Sequence, residues 1–394
     1  MEIYDIIHGS IEIEPLAKKI IDTKEFQRLR NIKQLGCCNY VFPGTLHTRF
    51  EHSIGVYHLA CMYIKILEEN NTDKKYFNDE QIKCITTAAL IHDLGHGPYS
   101  HLFDELIPKD KNHEYRSIEI LKHMNQKYNL EITDDEISMI YMIIKPDYNE
   151  IKEKKYLYQI VTNANGIDVD RFDYIMRDIK MTGLNYGIEY ERIMNHSYIK
   201  DNEIIYSEKV QMNIEDFYRI RFLMYKDIYN HHTVRAIEYM MKEYIRLLDI
   251  YIGISEIFEF NEWEKFIKLT DSIVNILPFM QKSDKLDEMK KVLKRIDERN
   301  IYKSVGEIVT GKEIKFNNKY DKKNCIIDIV KLSYYGKERC KYTSYEKLLE
   351  LPEMSDKYIT SVYYKNIKSK PEAEILYMDM QKERNRLYKI YKIS

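Results

Sequence analysis

Apolar and polar positions first alternate and then settle into a longer period. Ile11-Glu12-Ile13-Glu14 alternates residue by residue, as one arm of a half-buried strand or hairpin does. From Pro15 the spacing is helical. Leu16, Ile20, Ile21, Phe26, Leu29, Ile32 and Leu35 fall roughly on one face and Gly36 is a natural stop, which predicts one helix from Pro15 to Leu35. A second helix is expected from near Ser53 to about Glu69. A third should run from about Asp79 to Leu94, ended by Gly95-His96-Gly97-Pro98. Further helical stretches fall near 113–126, 134–144, 170–180, 213–251 and 284–299. Beyond residue 300 the texture changes: Ile308-Val309-Thr310-Gly311, Cys325–Leu332 and Thr360–Tyr364 read as strands between lysine-rich turns. The expected architecture is mainly α, with a helical core over residues 1–300 and a smaller α+β C-terminal lobe over 301–394. No linker or repeat separates the two, so they are expected to pack together.

Composition narrows the classes. At 394 residues the chain can bury a sizeable core, and 44% hydrophobic with 31% charged residues is ordinary for a globular protein. No apolar run approaches the roughly 18–20 residues that cross a bilayer. The N-terminus lacks a signal peptide's basic start and apolar centre, so a cytoplasmic protein without membrane attachment is expected. The six cysteines (Cys37, Cys38, Cys61, Cys84, Cys325, Cys340) form no CxxC pair and are expected to be reduced. Lys and Arg number 61 against 63 Asp and Glu, a net charge of −2, so nucleic acid is not indicated as a partner.

The strongest chemical signal is Leu90-Ile91-His92-Asp93-Leu94-Gly95-His96-Gly97. An apolar helix ends by presenting a histidine and an aspartate together. Adjacent helical residues diverge by about 100°, so both reach one ion only near a helix end. A buried His-Asp pair without such a task would be costly, because a carboxylate resists desolvation. His52 lies upstream in Arg49-Phe50-Glu51-His52, and Asp170 downstream in Gly166-Ile167-Asp168-Val169-Asp170-Arg171. Two imidazoles and two carboxylates suit Mn, Fe, Ni, Co or Zn better than a thiolate site would. Four protein ligands leave coordination positions for water and a phosphate oxygen, the open arrangement that Lewis-acid hydrolysis requires. Asp170, Tyr174 and Asp178 follow at i, i+4 and i+8, one helix face spanning roughly 12 Å. A nucleotide laid along that face would have its phosphate at the metal and its sugar near Asp178.

Together these segments resemble one family. The resemblance is carried by Ile7-His8-Gly9, Ile21-Asp22-Thr23, Phe26-Gln27-Arg28-Leu29-Arg30 and Ile32-Lys33-Gln34-Leu35-Gly36. It continues through Val41-Phe42-Pro43-Gly44, Arg49-Phe50-Glu51-His52-Ser53, His92 to His101, His113-Glu114, Asn165 to Asp170 and Arg299-Asn300. In this order they are similar to the sterile-alpha-motif and HD-domain deoxynucleoside triphosphate triphosphohydrolases, without a sterile-alpha-motif segment. The resemblance implies an HD-domain helical core in which His52, His92, Asp93 and Asp170 hold the metal. It implies hydrolysis of deoxynucleoside triphosphates (dNTPs) to deoxynucleoside and inorganic triphosphate, with Mg admitted on the triphosphate.

By the same resemblance, Arg49, His96, His113, Arg171, Tyr174 and Arg221 meet the triphosphate or help catalysis. His101 lies near the α-phosphate, and either His113, with Glu114 beside it, or His101 protonates the leaving oxygen. Gln34, Leu35, Asp178 and Tyr229 read the deoxyribose, and nothing among them reads the base. Asp22, Gln27 and Arg30 match guanine-nucleotide positions, and Arg192, Lys209, Asn213, His231, Arg299 and Lys303 match other activator contacts. GTP or dNTP activation and a homo-oligomer, dimer to tetramer, are therefore implied. The chain departs from the pattern at Arg171, where lysine is usual, and at Ser207 and His232, where long basic side chains are common. Only Met1-Glu2 stand where an N-terminal lysine usually lies. The alternatives are another HD-domain phosphohydrolase, phosphodiesterase or nuclease, which would not need the sugar-reading set, and an idle nucleic-acid-binding module, which would not need the metal set.

Overall fold

The computed structural model describes residues 1–279, 284–313, 324–343 and 356–391. Their contacts group the chain into two compact units that interleave along the sequence. The first comprises Met1–Ile220, Gly253–Ile276 and Tyr335–Leu349; the second comprises Arg221–Ile252, Leu277–Tyr334 and Glu350–Ser394.

The first unit opens with an antiparallel hairpin, β1 (Glu2–Asp5) and β2 (Gly9–Glu12), with Ile3 opposite Ile11. The single helix expected from Pro15 to Leu35 does not form. It divides into α1 (Pro15–Ile21), α2 (Lys24–Gln27) and a 3₁₀ turn at Arg28–Asn31. Thr23 makes the break: its hydroxyl donates to Ile20 O (2.7 Å) and accepts from Phe26 N (3.3 Å), closing one helix and capping the next. Phe26, Leu29 and Ile32 are still fully buried, so the periodicity reported burial and not continuity.

α3 (Arg49–Asn70) begins four residues before the expected Ser53, because Glu51 Oε1 accepts from Thr48 N at 2.7 Å in a capping box. α4 (Asp79–Ile91) starts on a similar box between Asn78 and Gln81, and His92 is its C-cap. There follow α5 (His101–Asp104), α6 (His113–Tyr128), α7 (Asp134–Ile144), α8 (Tyr156–Gln159) and α9 (Val169–Thr182). Asp168 caps α9, and Gly183, at φ +73°, ends it in the left-handed region that glycine tolerates best. α3 packs against α4 and α9, and its Val56, Leu59, Ala60 and Tyr63 are fully buried, as are Ile85, Ala88 and Ala89 of α4 and Phe172 and Ile175 of α9. α10 (Tyr190–Asn195) leads to a second hairpin, β3 (Ser197–Lys200) and β4 (Glu203–Tyr206), and then to α11 (Gln211–Met224).

The helix expected over 213–251 is also interrupted. After α11, Tyr225–Tyr229 form a π turn, and α12 (His232–Ile252) begins three residues later. In the second unit β5 (Lys303–Thr310), β6 (Cys325–Leu332) and β7 (Lys357–Tyr364) form an antiparallel sheet of order β5-β7-β6. One face is buried by the helix Lys370–Tyr391, through Ile308, Cys325, Val362, Ala373, Leu376 and Met380. Arg235 of α12 binds Asp328 of β6 through Nε and a terminal nitrogen, each at 2.9 Å. The fold is thus mainly helical with a small α+β portion. Among the described residues no helix is long and apolar enough to cross a membrane.

Candidate metal centre and adjoining groove

α3, α4 and α9 bring His52, His92, Asp93 and Asp170 together. His52 Nε2 lies 3.2 Å from His92 Nε2, 3.2 Å from Asp170 Oδ1 and 3.4 Å from Asp93 Oδ2. His92 Nε2 lies 3.6 Å from Asp93 Oδ1 and 3.4 Å from Asp170 Oδ1. Donors bound to one ion at about 2.0–2.1 Å stand about 3.0–3.4 Å from one another, so the spacing fits a shared divalent cation. The charges agree. Burial opposes charge on His52, yet Asp170 and Asp173 push its imidazole up to about 10. Asp93 is held well below the usual carboxylate range despite burial, by Arg49, His92 and His96. Such a pocket calls for positive charge at its centre.

Hydrogen bonds behind the donors fix which nitrogen of each imidazole faces the centre. His52 Nδ1 donates to Asp173 Oδ2 at 2.7 Å, and His92 Nδ1 donates to Ala89 O at 2.8 Å, leaving both Nε2 atoms inward. Asp173 also accepts from His8 Nε2 (2.7 Å) and from Arg177 (2.8 and 2.9 Å), and Arg177 reaches Asp5 at 2.8 Å. Gly55 makes the approach of α9 possible, since a Cβ there would overlap the Asp173 carboxylate. The roles of Asp5, His8, Asp173 and Arg177 escaped the sequence reading, although His8 belongs to one of the matching segments.

Arg49 lies beside the donors. Its guanidinium pairs with Asp93, and its Nε donates to Ser100 Oγ at 2.9 Å. Ser100 in turn donates to Lys33 O at 2.8 Å. Tyr99 and Ser100 both have left-handed backbone, at φ +60° and +59°, a strained pair held because Asp271 accepts from Tyr99 N at 2.7 Å. Beyond this loop is a histidine cluster. The His96 and His113 rings stack at 4.0 Å, and His101 meets them edge-on at 5.0 and 5.6 Å. His96 Nε2 is 3.2 Å from Asp93 Oδ1. Burial, then Arg49 and His113, push the His96 imidazole well below its ordinary value, so it is neutral.

Asp104 joins the cluster: it accepts from His113 Nδ1 at 2.7 Å, lies 3.8 Å from His101 Nδ1 and pairs with buried Arg116. Burial opposes its ionisation, but the imidazoles of His101 and His113 and the Arg116 guanidinium hold its carboxyl far below the usual range. Glu114 Oε1 is 3.7 Å from His113 Nε2. The His101 side chain is 75% exposed, the most open of the three.

Tyr174 presents its ring edge-on to His52 at 6.4 Å. Asp178, further along α9, is fully buried and accepts from His47 Nε2 at 2.6 Å. His47 had no part in the sequence reading. Gln34 N donates to His47 O at 3.0 Å, and Leu35 follows, half-buried. The guanidinium of Arg171 is taken by Asp168. Arg221 and Tyr229 belong to the second unit, where both rest on Tyr225: the Arg221 guanidinium at 5.4 Å, the Tyr229 ring at 5.0 Å.

The activator positions are scattered. Asp22 pairs with Lys18 at 2.7 Å. Gln27 Nε2 donates to Ile21 O at 2.8 Å, and its Oε1 accepts from Arg30 Nε at 2.8 Å. Arg192 and Lys209 are exposed, and Asn213 donates to Glu189 at 2.8 Å. In the second unit His231 stacks on His232 at 4.4 Å, Arg299 has left-handed backbone and Lys303 is exposed at the start of β5.

A helical frame that gathers a histidine, a His-Asp pair and a distant aspartate on one point defines an HD-domain metal-dependent phosphohydrolase. Comparison with known proteins agrees: the HD domain model matches residues 49–178 and the HD associated region model matches 188–324. The chain is 39% identical over 337 residues to an HD domain-containing protein of Acanthamoeba polyphaga mimivirus, covering 77% of this chain and 72% of that one. It is 33% identical over 357 residues to the deoxynucleoside triphosphate triphosphohydrolase SAMHD1 homolog of Dictyostelium discoideum, covering 86% and 68%. It is 34% identical over 353 residues to deoxynucleoside triphosphate triphosphohydrolase SAMHD1 of Homo sapiens, covering 79% of this chain and 56% of that protein. The chain belongs to the HD-domain deoxynucleoside triphosphate triphosphohydrolase family.

Proposed function

We propose that the chain hydrolyses dNTPs to deoxynucleoside and inorganic triphosphate, with His52, His92, Asp93 and Asp170 holding the required divalent ion. The observation that carries this reading is the pairing of two polar ends on α9. Asp170 stands in the donor cluster, and Asp178, roughly 12 Å along the helix, lies in a second buried polar site with His47. A phosphohydrolase for a simple phosphate would need only the first end. The mixed nitrogen and oxygen donors suit Mn, Fe, Ni, Co or Zn, with Mg on the triphosphate. When bound, such an ion supplies Lewis-acid polarisation of a phosphoryl oxygen.

The remaining chemistry belongs to side chains. Arg49, held by Asp93 and Ser100, offsets phosphate charge without reorganising. Arg171 and Arg221 are proposed to add to it, and neutral His96 donates a hydrogen bond. Asp104 orients His113 and His101, one of which gives a proton to the leaving 5′-oxygen, with Glu114 beside His113. Tyr174 meets the triphosphate, Gln34 and Asp178 take the 3′-hydroxyl, and Leu35 and Tyr229 fill the space that a 2′-hydroxyl needs. GTP or dNTP activation through Asp22, Gln27, Arg30, Arg192, Lys209, Asn213, His231, Arg299 and Lys303, and assembly into a homo-oligomer, complete the proposal.

The test is incubation of the purified protein with each dNTP and Mn²⁺ or Mg²⁺, with and without GTP, in ¹⁸O-water. Inorganic triphosphate carrying the label, beside unlabelled deoxynucleoside, is the expected result. Label in a nucleoside monophosphate would assign the site to a different HD hydrolase.

A further inference from the structure

Ile32–Gln34 and His47–Arg49 pair as a short antiparallel bridge. Lys33 lies opposite Thr48, Gln34 N donates to His47 O at 3.0 Å, and Arg49 N donates to Ile32 O at 2.9 Å. Side chains alternate across such a bridge, so Lys33 and Thr48 face one way while Gln34, His47 and Arg49 face the other. Arg49 is the residue that meets Asp93 at the donor cluster. His47 and Gln34 therefore share the face that Arg49 turns toward the metal site, one pleat further from it.

α9 runs beside this bridge with its polar residues in matching order. Asp170 stands at the end near Arg49, and Asp178 stands at the end where His47 Nε2 reaches it at 2.6 Å. Gly44 permits the approach, because a Cβ there would come within 2.5 Å of Met181 O on α9.

Burial at this end raises the stakes. Asp178 is 0% and His47 4% exposed, and a carboxylate so placed needs a hydrogen-bond donor, which His47 is. Nε2 is thereby engaged with Asp178, which leaves Nδ1 as the second polar atom of the ring. His47 Nδ1 and Gln34 Oε1 are both buried with no hydrogen-bond partner within the protein. Folded proteins leave few such atoms, and two from facing residues of one bridge mark a place where a ligand supplies the missing donor.

We propose that His47 is a positioning residue for the sugar. It fixes the Asp178 carboxylate and, with Gln34, frames a buried polar pocket that takes the 3′-hydroxyl of the substrate. This rests on the reading of the chain as a dNTP hydrolase. A nucleotide without that hydroxyl leaves the pocket unpaired and is rejected, since a site built to bond a hydroxyl discriminates strongly against the analogue lacking it.

The test compares dTTP with 2′,3′-dideoxythymidine triphosphate in the parent, in His47→Phe, which keeps the ring but not the donor, and in His47→Gln, which keeps a donor. The parent should prefer dTTP. His47→Phe should lose about tenfold or more of that preference, mainly as a higher KM for dTTP, with metal content unchanged. His47→Gln should recover part of the loss. A preference in folded His47→Phe within twofold of the parent's overturns the proposal. If that variant does not fold, Asp178→Asn is read for the same preference, and an unchanged value there overturns it equally. A parent that releases no triphosphate from any dNTP instead overturns the functional reading itself, and that result appears before any variant is made.

Discussion

Replacing Asp173 by asparagine tests whether the groups behind the donor cluster set its affinity. Asp173 is fully buried, and its two oxygens accept from His52 Nδ1, His8 Nε2 and two nitrogens of Arg177, all within 2.7–2.9 Å. Asparagine keeps the shape, removes the charge and turns one acceptor into a donor aimed at other donors. His52 then loses the bond that holds Nε2 inward. Loss of such a partner typically lowers metal affinity about 10–100-fold, equivalent to about 1.4–2.7 kcal/mol. Folding suffers separately. Removing one partner of a buried ion pair costs about 3–5 kcal/mol, and the lower end applies because Arg177 keeps Asp5 at 2.8 Å. The two effects are separated by measuring metal affinity by chelator competition on folded protein, and thermal stability on metal-stripped parent and variant. A folded Asp173→Asn that binds metal within twofold of the parent would refute the reasoning.

Changing His92 and Asp93 together to alanine should abolish both bound metal and hydrolysis in a protein that still folds; metal analysis with rates near the parent's would sink the assignment. Asp104→Asn should lower kcat about 10–100-fold with little change in KM, because it removes the charged acceptor that holds His113, and steady-state kinetics decide it. Glu136 accepts from Lys83 Nζ at 2.8 Å and from Thr133 N at 2.8 Å, which hold its carboxyl below its ordinary value although burial opposes this. Its stabilisation is therefore present above the ordinary carboxylate value and lost as pH falls through the lowered one. Glu136→Gln should cost about 1–2 kcal/mol at pH 7 and nothing at the acid end of a denaturation series, and a gap independent of pH would contradict this.

The helices that carry the donors were readable because each has a run of buried apolar residues and a capping residue at its start. The limits expected for 134–144 and for Cys325–Leu332 match the structure, which also places His52, His92, Asp93 and Asp170 beside one another. What could not be read was pairing across sequence. His8 and Asp173 are 165 residues apart and His47 and Asp178 are 131 apart, and nothing local to either member signals the other. The missed hairpin β3–β4 did carry a signal, Asp201-Asn202 between two apolar runs, and both residues take the left-handed backbone of a tight turn. The texture boundary near residue 300 records where the three-stranded sheet begins. Contacts group differently, since residues 221–252 go with the strands while 253–276 go with the first unit. Composition has no access to that return of the chain.

The same break at Thr23 bears on regulation. A continuous helix from Asp22 to Gln34 would have been a rigid rod between the proposed activator position and the proposed sugar position, but the chain is kinked there and again at the 3₁₀ turn. What the structure offers is a different link. The Arg30 guanidinium lies 3.5 Å over the ring of Phe50, which sits between Arg49 and His52 in the first turn of α3. An activator that draws Arg30 away removes one cation–π contact, worth about 0.5–1 kcal/mol at an exposed site. Coupling through this contact alone cannot exceed its energy, which corresponds to about two- to fivefold in rate or affinity. Activation by GTP well beyond fivefold is therefore expected to come with assembly, with sedimentation showing a larger oligomer at the same GTP concentration. Asp22→Ala should then reduce assembly and activation together. Strong activation of a protein whose sedimentation does not change would show that the Arg30–Phe50 contact is not the limiting link and that another path joins the two sites.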